Sequence, residues 1–268
     1  MRTAVITLAH GRHGHLRRQI ADLARGTRTP DVHVIVAMDD PTLAAVAPSA
    51  DIVQVSRVDG ELPLAAARNA GAARARRLGA TLLVLLDVDC VPAPQMLERY
   101  VAAAGRHDGV LSGPVGYLPP PPADGYPAWG LAELARPHPA RPVPAEDEIW
   151  AAEDLELFWS LSFALRADTW ERLGGFCEDF YGYGGEDTDF GQVIARAGVG
   201  LWWVGGAWAF HQHHGDGGAP VRHLDAVLRN AAIFHRRWGW WPMRGWLAEF
   251  DRMGLAALDP ATGTWVRT

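Results

Sequence analysis

The segment Gly182-Tyr183-Gly184-Gly185-Glu186-Asp187-Thr188-Asp189 sets three carboxylates within four residues, directly after a glycine-rich turn. A second acidic signal, Asp87-Val88-Asp89, closes the apolar run Leu82-Leu83-Val84-Leu85-Leu86. The two acids stand on either side of the intervening Val88. A carboxylate pair at a strand end can therefore bind a sugar hydroxyl through one member and a divalent cation through the other. A carboxylate beside flexible glycines can accept a proton from a substrate held close to the backbone. Together the two segments suggest metal-dependent group transfer from a phosphorylated donor. Each also has a plain structural account. Asp87-Val88-Asp89 could be a solvated turn after a strand. Glu186 or Asp189 could simply sit at a helix start, where acids are favoured by the free N–H groups and the helix dipole. The helix account leaves the three glycines unexplained, and also the adjacent Tyr181 and Tyr183, whose flat rings could stack on a sugar.

A third polar signal is His211-Gln212-His213-His214, followed by Gly215-Asp216-Gly217-Gly218. It is either a polar loop or part of a metal site. Neighbouring histidines in an extended segment point in different directions, so all three would not reach one ion. One imidazole, Asp89 and two phosphate oxygens would suit Mn²⁺. The glycine-rich stretch could close over a donor and shape the acceptor site. Arg68-Asn69, in Leu64-Ala65-Ala66-Ala67-Arg68-Asn69-Ala70-Gly71, is either the polar face of an amphipathic helix or a cation turned toward a nucleotide. The planar fork of arginine suits diphosphate.

The elements that must position these residues alternate. Strand patterns at Ala4–Leu8, Val32–Ala37, Ile52–Val55 and Leu82–Leu86 are separated by helical patterns. The first helical pattern has Leu16, Ile20, Leu23 and Ala24 on one face; the others span Leu64–Leu78 and, after the fourth strand, Pro92–Ala104. Such alternation predicts a largely parallel sheet with helices on both faces. Ligands then bind beyond the carboxyl ends of the strands, where Asp39, Asp40, Asp87 and Asp89 fall. Ten of the 31 residues from Pro114 to Pro144 are proline, which predicts a long irregular excursion over the active-site face. Beyond it, the patterns predict regular structure near Leu157–Leu165 and a turn at Gly174-Gly175. A helix over Thr188–Ala197, strands at Gly200–Val204 and Ala207–Phe210, and a helix over Val221–Trp238 follow. The tail carries Trp238, Trp240, Trp241, Trp246 and Trp265, which could cover the core, form a homodimer surface or touch a membrane.

The chain has 268 residues, long enough for a substantial core. Its net charge of −6 gives no case for general nucleic-acid binding. Every one of the 25 basic residues is arginine. The two cysteines, Cys90 and Cys177, form no framework and no CxxC, which reads as reduced thiols in a cytoplasmic protein. The apolar part of the N-terminus is short for a signal peptide, and no run approaches a transmembrane span.

Together these segments resemble the GT-A glycosyltransferases, most of all the family-2-type and β-1,4-galactosyltransferase-like enzymes with their chondroitin-polymerase relatives. Thr7-Leu8-Ala9-His10-Gly11-Arg12 stands where the first strand of that family meets the nucleotide. Asp39-Asp40 matches its acidic pair near the uracil, Arg68-Asn69-Ala70-Gly71 its RNxG helix, and Asp87-Val88-Asp89 its DxD motif. Gly174-Gly175-Phe176-x-Glu178-x-Phe180-x-Gly182-Tyr183-Gly184-Gly185-Glu186-Asp187-x-Asp189 resembles the GGFDExFxGWGxEDxD signature, and Ala209-Phe210-His211-Gln212 the segment with the metal-binding histidine. Cys177 replaces the usual Asp, Tyr183 a frequent Trp, and Pro41 follows the acidic pair in place of Gly-Ser.

The resemblance covers roughly residues 3–235. It implies a Rossmann-like α/β fold with a central mixed, mainly parallel sheet and helices on both faces. The Trp-rich segment 236–268 is then an extension packed on that domain, and 114–156 its Pro-rich and acidic excursion. Function follows as inverting transfer of a sugar from a nucleotide diphosphate, most plausibly a UDP-sugar, to a hydroxyl of a saccharide or small-molecule acceptor. Asp187 becomes the catalytic base; retaining relatives tend to carry Glu-Asn there. Glu186, Tyr183, Gly185 and Trp159 fall to the substrate. Thr7, Leu8, His10, Arg12, Asp39, Asp40, Arg68, Asp87 and Val88 fall to the nucleotide. Asp89 and His211, with His213 as second choice, fall to Mn²⁺ or Mg²⁺. A non-catalytic carbohydrate-binding protein of this fold and a metal-dependent hydrolase are the alternatives. A nucleotidyltransferase is disfavoured because no glycine-rich basic loop follows the first strand.

Overall fold

The structure is a computed structural model that describes residues 1–214 and 218–268. The first three residues of the glycine-rich segment expected to close over a donor, Gly215-Asp216-Gly217, lie outside the described residues. The chain opens with β1 (Thr3–Ala9), α1 (His13–Ala24), β2 (Val32–Met38), α2 (Leu43–Val46), β3 (Asp51–Val55), α3 (Leu64–Arg77) and β4 (Leu82–Leu86). It continues through β5 (Cys90–Pro92), α4 (Met96–Ala104), β6 (Val110–Ser112), β7 (Val115–Tyr117), α5 (Leu131–Leu134), β8 (Arg136–Pro137) and β9 (Ile149–Ala151). The second half adds β10 (Ser162–Arg166), α6 (Ala167–Leu173), α7 (Glu186–Arg196), β11 (Leu201–Val204), β12 (Ala209–His211), α8 (Leu224–Trp238), α9 (Arg244–Arg252), β13 (Ala256–Asp259) and β14 (Thr264–Arg267).

Eight strands form one sheet in the order β3-β2-β1-β4-β10-β6-β11-β9. The pairs β1–β2, β1–β4, β2–β3 and β11–β6 are parallel, and β10 runs antiparallel to both its neighbours. Asp39-Asp40 and Asp87 follow directly on β2 and β4, so parallel pairing brings them to one edge. Side-chain alternation sends Ile6, Leu83 and Leu85 into a core with α3, while Val5, Leu82, Val84 and Leu86 join Met96, Leu97 and Tyr100 of α4. The central strands are thus buried on both faces and read as uniformly apolar.

The Pro-rich excursion is less irregular than its composition suggests. It supplies β7 and β8 to a second sheet, ordered β5-β12-β7-β8, and β9 to the edge of the large one. Proline is tolerated here because β8, which holds Pro137, is a short edge strand, while the interior β7 contains none. Arg18 of α1 ties the excursion down by donating to the carbonyls of Tyr126 (3.0 Å) and Pro127 (2.7 Å). The strand expected at Ala207–Phe210 begins later and includes His211, because it pairs with β5 and β7 in this second sheet.

The expected division at residue 235 falls inside α8, which runs unbroken to Trp238. Trp238 and Trp240 pack on the main core, while Trp241, Trp246 and Trp265 pack with α8 and α9. All five rings are at most partly exposed. No helix among the described residues is long and apolar enough to cross a membrane.

Helix α3 lies close on the sheet because of Gly71, where a Cβ would stand 2.5 Å from Ile6 Cγ2 and 2.9 Å from Val36 Cγ2. Gly71→Ala is expected to destabilise the protein by about 1–3 kcal/mol through overpacking. The check is a lower urea midpoint at unchanged slope.

Candidate active site

Arg68 projects from α3 and is almost wholly buried, with 3% of its surface exposed. Its Nη1 donates to Glu186 Oε1 at 3.1 Å, and its Nη2 lies 3.6 Å from Asp87 Oδ1 and 3.9 Å from Asp187 Oδ1. One guanidinium thus gathers the acid after β4 and the two acids that open α7. Its face also lies over the Phe176 ring. Burial by itself would lower the pKa of Arg68, but Asp187, Asp87 and Glu186 outweigh it and raise the value. Burial pushes Asp87 up to about 7 against the Arg68 charge, with Asp89, Asp187 and Glu186 adding to the rise. Glu186 is likewise pushed up to about 7, by burial and then by Asp187.

Helix α7 begins at Glu186, two residues before the expected start, so all three acids lie in its first turn. Gly185 precedes it in the left-handed region at φ 91°, and a Cβ there would press on Phe180 at 3.3 Å. Its part is therefore in the backbone turn. Asp187 is half-buried and held by Ser160, whose N–H donates to Oδ2 at 3.1 Å and whose hydroxyl donates to Oδ1. Asp189 is not a helix cap. It is fully buried and accepts from Arg237 Nε (2.7 Å) and Trp238 Nε1 (2.7 Å), fastening α7 to the end of α8.

Asp89 faces a different set of neighbours. Asp89, His211 and His214 offer ligand atoms that all lie within 4.8 Å of one another. His211 Nε2 is 3.7 Å from Asp89 Oδ1, and His214 Nε2 is 2.9 Å from Oδ2. Asp89 Oδ1 and His214 Nε2 are buried without a well-formed hydrogen bond among the described residues. One carboxylate and two imidazoles with such orphaned atoms fit a divalent cation of manganese type. Burial would raise the pKa of Asp89, but contact with His214 and the charges of His211 and Arg12 hold it well below the usual carboxylate range. Burial depresses His211, which favours the neutral ring that a metal requires. His213, the second-choice ligand, is not in this group. It is exposed, and its backbone N–H donates to the Tyr126 hydroxyl at 3.0 Å. His214 takes the place it was expected to hold. Strand β12 ends at His211, so the alternation that would have set His213 on the same side as His211 does not continue past it.

The nucleotide candidates divide. Arg12 sits in the left-handed region at φ 49° and forms an ion pair with Asp89. Asp40 is buried and accepts from the Thr42 hydroxyl and the Gly11 N–H, which hold its pKa low against burial. Asp39 pairs with Arg57 (2.9 Å), and Arg57 also reaches His10 Nε2 (2.8 Å), so these three form one polar patch beyond β1 and β2. Thr7, Leu8 and Val88 require correction, because their side chains lie in the interior. Leu8 belongs to the main core and Val88 to a cluster with Ala9, Leu16 and Ile35. Thr7 donates to Gln19 Oε1 (2.7 Å), and Gln19 Nε2 donates to the carbonyls of Asp87 (2.8 Å) and Cys90 (2.9 Å). Thr7 therefore braces the acidic turn from beneath. Gln19, Ser160, Arg57 and His214 were missed; only His214, in its histidine run, carried a signal in the sequence.

Trp159 is half-buried, edge-on to His138 at 4.8 Å, with the Arg141 guanidinium 5.4 Å from its ring. His138 in turn meets Tyr117, and Tyr117 meets His211, so a row of rings runs from the metal-ligand group to Trp159. A separate cavity of about 240 Å³, lined in part by Trp129, Trp208 and Phe210, contains none of these acids or histidines.

Comparison with known proteins bears on this geometry. Residues 4–129 match the family described as glycosyl transferase family 2, and residues 148–214 match the family described as the N-terminal domain of galactosyltransferase. The chain has the GT-A fold and carries a glycosyl transferase family 2 domain followed by a galactosyltransferase one. The first match carries Arg68, Asp87 and Asp89, and the second carries Asp187, His211 and His214. Validoxylamine A glucosyltransferase of Streptomyces hygroscopicus subsp. limoneus is 30% identical over 241 residues, covering 79% of this chain and 51% of its own length. The protein of the same name from Streptomyces hygroscopicus subsp. jinggangensis (strain 5008) is also 30% identical, with 79% and 55% covered. The chain thus spans about half the length of these curated relatives. The crystal structure of GalNAc-T7 with UDP, GalNAc and Mn2+ matches it with a TM-score of 0.58 at 18% identity, over 88% of this chain and 50% of that one, which shows a shared fold.

The raised pKa of Glu186 has a testable sign. Its proton is held more tightly in the folded chain than at the ordinary value of 4.5. The associated stability is full below that value and is lost as the pH rises through about 7. Without metal, the melting temperature of the unaltered protein should therefore fall relative to that of Glu186→Gln between pH 5 and pH 8. A constant difference across that range would contradict it.

Proposed function

We propose that this chain catalyses metal-dependent, inverting transfer of a sugar from a UDP-sugar to an acceptor hydroxyl. The observation that carries the reading is the convergence, through Arg68, of Asp87 after β4 with Glu186 and Asp187 in the first turn of α7. Asp89, beside Asp87, turns to the two histidines. The acids thus separate into a metal-ligand group and a substrate-facing group. Asp89, His211 and His214 would hold Mn²⁺ or Mg²⁺, which when bound offsets the charge developing on the departing diphosphate.

The remaining chemistry belongs to the chain. The acceptor oxygen forms its bond to the anomeric carbon as the bond to the diphosphate breaks, and its proton passes to the Asp187 carboxylate. Ser160 fixes the orientation of that carboxylate through two hydrogen bonds. Glu186 stands beside it for substrate hydroxyls. Arg12, already a cation on Asp89, is placed to meet the diphosphate. Asp39, His10 and Arg57 offer the polar patch for the base. Attack from the side opposite the leaving group, assisted by a carboxylate base, gives inversion. UDP and Mn2+ accompany the similar structure, and the relatives' name makes UDP-glucose and validoxylamine A the first pair to try. The reading includes a cytoplasmic setting, which the two free cysteines support.

Two variants test it. Asp187→Asn should lower kcat by about 10²–10⁴-fold, the usual worth of a general base, while UDP affinity in the presence of Mn²⁺ stays nearly intact. Transfer at the unaltered rate would overturn the assignment, and donor hydrolysis at full rate without acceptor would favour a hydrolase. In calorimetry, Asp89→Ala and His214→Ala should each weaken Mn²⁺-dependent UDP binding by at least the roughly 10-fold seen for disturbing even an outer-shell partner. His213→Ala should not weaken it.

A further inference from the structure

Neither family match extends beyond residue 214, yet the turn that carries Tyr183 is built against residues that follow it. Asn230 of α8, itself buried, donates to the carbonyls of Tyr181 (3.1 Å) and Gly184 (2.7 Å), and Arg229 also donates to Tyr181. A Cβ on Gly184 would stand 2.8 Å from Met243 Sδ and 3.2 Å from Trp246 Cζ3. A Cβ on Gly182 would stand 2.9 Å from Ala226 Cβ. Both glycines also have positive φ, so the turn is fitted to α8 and α9 in a way other residues would strain. Two rings from this later segment stack on Tyr183: His223, at 4.7 Å and 13°, and Trp246, at 5.7 Å and 25°. Tyr183 still exposes 39% of its surface. It is three residues from Glu186, and the charges of Glu186 and Asp187 add to burial in raising its phenol pKa.

We propose that the segment from His223 to Trp246 completes the acceptor subsite, with His223 and Trp246 as positioning residues that hold Tyr183 to receive a polyhydroxylated ring beside Glu186 and Asp187. This rests on the reading of Asp187 as the base. Stacked aromatic pairs of this kind fix ring orientation as well as adding energy. The contribution falls on the acceptor, because Tyr183 lies in the turn that leads into Glu186 and Asp187, whereas on the donor side Asp89 pairs with Arg12 and His214, and Asp39 with Arg57.

The test uses UDP-glucose with Mn²⁺ and five acceptors: validoxylamine A, glucose, methyl β-glucoside, methyl β-galactoside and N-acetylglucosamine. With the best acceptor, Trp246→Ala and His223→Ala should each raise the acceptor KM roughly 2- to 10-fold, the range for one aromatic pair, with donor KM unchanged. Trp246→Phe should restore the acceptor KM. Acceptor KM unchanged in both alanine variants, or donor and acceptor KM rising in parallel, would overturn the proposal. Trp246 also packs in an apolar cluster of the tail. If its alanine variant does not fold, His223→Ala decides alone, since His223 is outside that cluster. An unaltered chain that binds UDP and Mn²⁺ but transfers to none of the five would strike the catalytic reading itself, and this inference with it.

Discussion

A single buried guanidinium holds the two halves of this fold in register. Arg68 leaves α3, which packs on β1 and β2, and reaches acids that the chain supplies before and after its long central excursion. Burying such a charge is unfavourable unless carboxylates surround it, and burying these carboxylates is unfavourable without it. Burial first, and then the neighbouring acids, leave the pKa values of Asp87 and Glu186 raised in spite of Arg68. The close seat of α3 at Gly71 determines how far Arg68 reaches. A packing requirement on one face of the sheet is thereby converted into an electrostatic one at its edge.

Asp87 and Asp89 are separated by one residue and shifted in opposite directions. Their neighbours account for it. Asp87 meets Arg68 together with other acids, whereas Asp89 meets Arg12 and two imidazoles. Val88 between them is anchored in the core, and Gln19 grips the turn from below through the Asp87 and Cys90 carbonyls. The short acidic turn therefore behaves as a divider between two electrostatic compartments, with Thr7 and Gln19 as its hidden support.

Much of this was legible in the sequence. The uniformly apolar run before Asp87 marked a central strand, and strand-helix alternation placed Asp39, Asp40 and Asp87 at one edge. The glycines before Glu186 signalled a turn fitted to something close. What escaped depends on tertiary pairing. No local pattern tells whether His213 or His214 turns toward Asp89, because that depends on where β12 ends against β5 and β7. Ser160 carries no signal at all, since it reaches Asp187 only when α7 docks beside β10. Thr7, Leu8 and Val88 looked like edge residues by position. Both faces of β1 are covered, so Thr7 and Leu8 are buried on opposite sides of it, and Val88 packs inward from the turn. The Pro-rich excursion concealed short strands because edge pairing imposes so little on composition.

Asp189 is fully buried one helical turn into α7, and its partners, Arg237 and Trp238, lie at the far end of α8. In a chain synthesised from its N-terminus, these partners emerge 48 and 49 residues after Asp189. Until they arrive, the helix that presents Glu186 and Asp187 contains a carboxylate with no counterion, and its docking is opposed. The acidic motifs can be fully translated well before the site they form is assembled. The order of synthesis thus delays the site until α8 is available to restrain it.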